Sequence, residues 1–196
     1  MILAQMRAKL DQAITYGTKK DALGLAGKGL KEAKIKNLSG EVEYFKGQIQ
    51  LLKRNFVSAI EHFDAAIRID AHDGGSYNDR ALSMVELGIL DQALEYFDKG
   101  IEVEPDYATI YHNKGWLLNN LGRHSEAIIC FNKALGLEPG RAVTYDNLAD
   151  ACFNLGDLPR ALDCYRKVLK LLKPACCMQI KKQIRLKIEQ IEKQIN

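Results

Sequence analysis

The chain has 196 residues, of which 47% are apolar and 27% are charged, and this composition excludes a disordered polar chain. Residues 1–39 hold eight Lys or Arg and three Asp or Glu, residues 40–175 hold fifteen and twenty, and residues 176–196 hold five and two. An acidic body between basic ends argues against a nucleic-acid groove, which needs a continuous basic stripe.

Cellular context is indicated by what the sequence lacks. No apolar run approaches the ~18 residues of a membrane span. The five cysteines include no CxxC pair, which favours reduced thiols over a disulfide framework. We therefore expect a cytoplasmic protein with no membrane span.

Residues 1–39 come first along the chain and predict a degenerate helical hairpin. Gly17 and Ala22 are separated by the same number of residues as the turn glycine and the packed alanine of the hairpins later in the chain. Leu10, however, stands where those later hairpins have a small residue. The stretch "GLAGKG" at 24–29 is too short for a phosphate-binding loop and has no Ser or Thr after its lysine, so we predict no nucleotide site.

Four blocks of 34 residues follow and align without gaps: 40–73, 74–107, 108–141 and 142–175. Each block has a small residue in its first half and an alanine, an aromatic residue and a further small or apolar residue in its second half. These residues are Gly47, Ala81, Gly115 and Ala149; Ala59, Ala93, Ala127 and Ala161; Phe63, Phe97, Phe131 and Tyr165; and Ala66, Gly100, Ala134 and Val168. Steps of four and three residues in the second halves predict one buried helix face.

Turn and stop signals separate these helices. A glycine between the halves predicts a helix end at Gly88, Gly122 and Gly156. Proline is expected to close the second helices at Pro105, Pro139 and Pro174. The blocks therefore predict four consecutive helical hairpins.

Residues 176–196 predict a final helix with one apolar stripe, formed by Ile180, Ile184, Ile188, Ile191 and Ile195. A stack of hairpins needs a cap whose outer face is polar, and we interpret the helix as that cap. The same stripe fits about two heptads of a coiled coil, which is shorter than a secure coiled-coil pattern. The alternative is therefore a self-assembling scaffold, such as a homodimer, joined through this helix.

The four blocks resemble the tetratricopeptide repeat. The first block departs from the family pattern, with Glu43 in place of an aromatic residue, Arg54 in place of the glycine between the helices and Ala71 in place of proline. The resemblance implies an all-α fold, a right-handed α–α superhelix with a C-terminal capping helix. It also implies a protein-binding function, with the first helix of each hairpin lining a concave groove.

The same resemblance implies a set of groove residues that contact a partner protein. Carried over residue by residue, the set is Tyr44, Gln48, Asn78, Asp79, His112, Asn113, Trp116, Asn120, Asp146, Asn147, Asp150 and Asn154. Asn113 and Asn147 could each donate and accept one hydrogen bond along a peptide backbone. Trp116 is the only tryptophan, and it either contacts the partner as a hot spot or fills space between neighbouring first helices.

Members of this family that hold chaperone C-terminal carboxylates use Lys and Asn, then Asn, then Lys and Arg on successive first helices. The corresponding sets here are Tyr44, Gln48, Asp79, Thr109 and Asn113, or, one repeat later, Asn78, Leu82, Asn113, Val143 and Asn147. Neither set contains a cation, so we expect the ligand not to be a free acidic C-terminus.

No catalytic or metal-binding constellation is present in the sequence. The four histidines have no second ligand type at metal spacing, and no Ser or Cys is paired with a base. We therefore predict a cytoplasmic adaptor that binds a peptide segment of another protein, with no catalytic site, no metal, no cofactor and no nucleic-acid partner.

Overall fold

The computed structural model describes residues 3–172 and 178–195, so Pro174, Cys176 and Cys177 lie outside the described residues. Within these ranges every regular element is an α-helix. The helices are α1 Leu3–Tyr16, α2 Lys19–Ile35, α3 Ser39–Leu52, α4 Phe56–Ile69, α5 Gly74–Glu86, α6 Leu90–Val103, α7 Ala108–Asn120, α8 His124–Leu137, α9 Ala142–Leu155, α10 Leu158–Leu171 and α11 Met178–Ile195. None of these helices is long and apolar enough to cross a membrane.

Left-handed residues end the first helices of the hairpins. Gly88, Gly122 and Gly156 have φ angles of 78°, 75° and 85°, a conformation that glycine adopts without steric cost. In the first block the corresponding residue is Arg54, with φ of 67°, so this turn forms despite the steric penalty of a side chain there.

Two compact units make up the chain, Met1–Pro105 and Asp106–Asn196. In the first unit each helix from α1 to α6 packs against the next, and α3 also contacts α5. In the second unit α7 to α11 pack in the same sequential way, and α7 also contacts α9. The short connections between the helices make neighbours in sequence neighbours in space.

In two of the hairpins, α3–α4 and α7–α8, an aromatic ring of the second helix packs directly on a glycine of the first helix. A Cβ atom added at Gly47 would lie 2.6 Å from the Cε1 atom of Phe63, and one added at Gly115 would lie 2.8 Å from that of Phe131. Both distances are below a normal carbon–carbon contact of about 3.5–4.0 Å. The recurrent small residue of the first helix therefore makes room for the ring of the second helix.

The C-terminal helix α11 packs against α10 and caps the second unit. Ile184 and Ile191 are each only 1% exposed, whereas Ile180 and Ile195, in the first and last turns, are 43% and 51% exposed. The predicted isoleucine stripe therefore contacts the last hairpin through its central residues, and the two ends of α11 leave their isoleucines in solvent.

Candidate functional site

Arg7 of α1 organises a polar cluster in the first unit. Its guanidinium donates hydrogen bonds to Asp73 at 2.7 and 3.0 Å and to Glu41 at 3.1 Å. It also lies 3.5 Å from the centre of the Tyr44 ring. Burial alone would raise the pKa of Asp73, but the hydrogen bonds and charge of Arg7 lower it below its usual value. The first helix thus covers the predicted groove residue Tyr44.

The neighbouring residues Gln48, Asn78 and Asp79 are also buried. Asp79 accepts hydrogen bonds from the side-chain amides of Gln48 and, at 2.9 Å, of Asn78. Burial raises the pKa of Asp79 to about 7, although the Asn78 hydrogen bond opposes the rise. The Oε1 atom of Gln48 has no hydrogen-bond partner within the described ranges. These predicted contact residues bind one another and present little surface to a partner.

His112 is buried in the second unit. Its Nδ1 atom lies 2.9 Å from the hydroxyl oxygen of Thr144 on the next first helix. Burial, with a smaller contribution from the charge of Arg141, lowers the pKa of His112 to about 3. Arg141 donates to the Thr109 hydroxyl at 2.7 Å. His112 is therefore a neutral packing residue that joins α7 to α9.

Asp146 and Asp150 of α9 contact the C-terminal helix. The ammonium group of Lys187 lies 2.7 Å from a carboxylate oxygen of Asp150 and 3.6 Å from one of Asp146. The Tyr165 hydroxyl also donates to Asp150. Burial raises the pKa of Asp146, and Lys187 partly offsets the rise. The chain's own lysine thus engages two carboxylates that were predicted to meet a partner.

The remaining predicted residues offer accessible surface on α7 and α9, two helices in mutual contact. Trp116 is 37% exposed, Asn120 and Asn154 are exposed, and Asn113 and Asn147 are half-buried. We call these five residues the α7–α9 face. The face is polar apart from the indole, and it combines an aromatic ring with amides that can donate and accept hydrogen bonds.

Sequence-family models place repeats on this part of the chain. A model described as "Tetratricopeptide repeat" matches residues 108–141, and a second with the same description matches residues 142–174. Residues 108–174 are tetratricopeptide repeats. A search of curated protein sequences found no match.

Solved structures share the tetratricopeptide-repeat fold. TTC0263, a thermophilic TPR protein of Thermus thermophilus, has a TM-score of 0.71 at 22% identity, over 97% of this chain and 98% of that one. MamA has a TM-score of 0.62 at 20% identity, over 83% and 93% of the two chains. The first TPR of Spaghetti (RPAP3), bound to the HSP90 peptide SRMEEVD, has a TM-score of 0.57 at 19% identity, over 64% and 95%. The predicted all-α repeat fold is confirmed.

The repeat pattern alone did not reveal Arg7 and Lys187, which engage predicted groove residues from the two terminal helices. One signal for Arg7 is present in the sequence. Arg7 lies four residues after Leu3 and three before Leu10, both buried, so a charge interrupts the apolar stripe of α1. Lys187 has no such signal, because lysines occur throughout α11. Among the described residues no cluster of three His, Cys, Asp or Glu side chains could hold a metal ion.

Proposed function

We propose that this protein is an interaction scaffold, and that it binds a peptide segment of a partner protein on the α7–α9 face. The exposed indole of Trp116 carries the proposal. The ring of Phe131 in the same hairpin is fully buried, whereas Trp116 leaves 37% of its surface in solvent. Tryptophan is the residue type most enriched among interface hot spots, so this exposed ring is the strongest single contact that the face can offer.

The amides beside the indole suit an extended peptide. Asn113 and Asn147 occupy the same position in successive repeats, 34 residues apart. Each carries a donor and an acceptor that can pair with one backbone carbonyl and one backbone N–H. A segment could therefore pack an apolar side chain on Trp116 while its backbone bonds to the amides.

The peptide-bound TPR of Spaghetti supports the view that this fold can hold a peptide. Its ligand SRMEEVD is acidic, whereas this chain has no lysine or arginine in either set of residues corresponding to the carboxylate-binding positions. We therefore propose a ligand segment that does not depend on a terminal carboxylate.

Self-assembly through α11 is the competing function. Ile184 and Ile191, which a coiled coil would use, are already buried within the chain at 1% exposure each. Releasing them would remove the cap of the second unit and expose its apolar edge. Peptide binding on the α7–α9 face requires no such rearrangement, and we favour it for that reason.

The test is a matched pair of variants. A partner captured by the intact chain is identified, its binding segment is mapped, and a synthetic copy is titrated by calorimetry against Trp116→Ala and Ile129→Ala. Ile129 is 68% exposed on α8, outside the α7–α9 face. Trp116→Ala should weaken binding by at least about 2 kcal/mol, or about 30-fold, and Ile129→Ala should have little effect. Equal affinities of the two variants for the peptide would show that the binding surface lies outside the α7–α9 face.

A further inference from the structure

The second helix of the chain presents a basic face to solvent. Helix α2 contains five lysines, Lys19, Lys20, Lys28, Lys31 and Lys34, against the two carboxylates Asp21 and Glu32, so its side chains sum to +3. All five lysines are exposed. Within the described residues, Lys20, Lys28 and Lys31 form no ion pair. The positive charge of this face is therefore not neutralised by the fold.

Two glycines lie on the same face, and packing inside the chain does not require either. Gly24 and Gly27 are exposed in the middle of α2, where glycine destabilises a helix relative to alanine. A Cβ atom at either position would meet nothing within 4 Å, whereas one at Gly29 would lie 2.3 Å from the ring of Phe45. Glycine on a helix face allows another backbone or a charged side chain to approach closely.

Helix α6 carries the opposite charge on a face with matching spacing. Asp91, Glu95, Asp98 and Glu102 follow one another by four, three and four residues and are all exposed. With Lys99 as the one lysine of the helix, its side chains sum to −3. The side chains of helices α2 and α6 thus sum to equal and opposite net charges, and the faces that they present to solvent are of opposite sign.

The two faces also match in length. Lys20 and Lys31 are eleven residues apart, as are Asp91 and Glu102, which is about 16 Å along either helix. Gly24 and Gly27 have the same offsets on α2 that Glu95 and Asp98 have on α6. A carboxylate that projects from the middle of α6 could therefore enter the glycine gap of α2 and reach the flanking lysines.

We propose that the basic face of α2 in one molecule docks on the acidic face of α6 in a second copy, so that the protein self-associates head to tail. The complementary face must come from another molecule, because α2 and α6 belong to the same unit and are not in contact in the described part of the chain. Two different faces form the contact, so it is heterologous and builds chains or rings. Opposite charges steer such encounters and make them sensitive to salt.

The first experiment is sedimentation velocity of the intact protein at about 0.02 M and about 0.5 M salt. Oligomers should form at low salt, and their dissociation constant should rise at least about tenfold at high salt. A chain that stays monomeric at low salt would overturn the proposal and leave the basic face to a different anionic partner. Association that does not respond to salt would also overturn it.

Charge reversal makes the test specific. Lys28→Glu with Lys31→Glu alters the α2 face, and Glu95→Lys with Glu102→Lys alters the α6 face. Each variant should remain monomeric alone at low salt, because its two faces then carry charge of the same sign. An equimolar mixture should associate, because the unchanged α6 face of the first variant complements the unchanged α2 face of the second and the two altered faces complement each other. Circular dichroism should confirm that both variants fold. Lys182→Glu with Lys193→Glu, a control of equal charge change on the exposed surface of α11, should associate like the wild type.

A single substitution tests the glycine gap. Gly27→Gln adds a side chain without changing the charge, and it should raise the thermal stability of the helix because it removes a mid-helix glycine. The same variant should weaken self-association at least about tenfold by blocking close approach. Stronger or unchanged association in this variant would contradict the proposed contact.

Discussion

Asp79 should make the first unit less stable as the pH rises, and Asp79→Asn should remove this dependence. The carboxyl group is buried between the amides of Gln48 and Asn78, so its charged form loses hydration. Asparagine has nearly the same shape and carries no charge. Its amide nitrogen needs an acceptor, and the Gln48 Oε1 atom, which has no partner within the described ranges, can supply one after an amide flip.

The magnitude follows from the raised pKa of Asp79. Its value of about 7 lies about 3 pH units above the ordinary 3.8, and each unit corresponds to about 1.4 kcal/mol. Between pH 3.8 and 7 the native protein keeps a proton that the unfolded chain has released, so stability falls as the pH rises through this window. Above pH 7 the full penalty is present, on the order of 4 kcal/mol.

The assay is urea unfolding followed by circular dichroism at several pH values between about 4 and 8. The quantity to compare is the free energy of unfolding of Asp79→Asn minus that of the wild type. This difference should grow with pH and level off above about pH 7. A difference that stays constant across the range, or that shrinks as the pH rises, would show that Asp79 is ionised in the native protein throughout.

Three further predictions concern the second unit, each measured by urea unfolding. Burial lowers the pKa of His112 from 6.5 to about 3, so the stability that the neutral imidazole contributes is full above pH 6.5 and is lost on acidification, by about 2 kcal/mol at pH about 5. The free energy of unfolding of the wild type minus that of His112→Gln should therefore fall by this amount as the pH drops to about 5, and a difference that does not change with pH would refute the assignment. Gly115→Ala should be about 1–3 kcal/mol less stable than Gly136→Ala, because an added Cβ atom would overlap a buried ring at position 115 and meet nothing within 4 Å at position 136. Equal stability of the two variants would mean that the ring shifts without loss of stability. Ile184→Ala should lower the free energy of unfolding by about 2–5 kcal/mol, and Ile195→Ala, at an exposed position, by less than about 0.5 kcal/mol. Similar losses for the two variants would show that α11 does not cap the second unit.

The repeats could be predicted from the sequence because their signal is local and recurs. Ala127 and Phe131 stand four residues apart in one helix, and both are fully buried, as the pattern requires. Gly115, on which the Phe131 ring packs, lies in the preceding helix of the same hairpin, so one block of 34 residues contains this packing unit. The same reasoning predicted that α11 would have one apolar face.

The accessible surface could not be predicted in the same way. His112 is buried partly through its contact with Thr144, which lies 32 residues away, and Gln48 donates to Asp79, which lies 31 residues away. Such contacts depend on the distance between successive first helices, which spacing along the chain does not report. Arg7 reaches Asp73 over 66 residues, so its position depends on how the degenerate first hairpin packs.

The most direct test of the central claim uses the single tryptophan as its own reporter. Trp116 is the only source of indole fluorescence in the chain, and the residue is 37% exposed. Titrating the mapped partner segment into the intact protein should shift the emission to shorter wavelength, because the segment excludes water from the ring. The midpoint of this fluorescence titration should agree with the dissociation constant from calorimetry. Unchanged emission at concentrations where calorimetry shows saturation would contradict binding at the α7–α9 face.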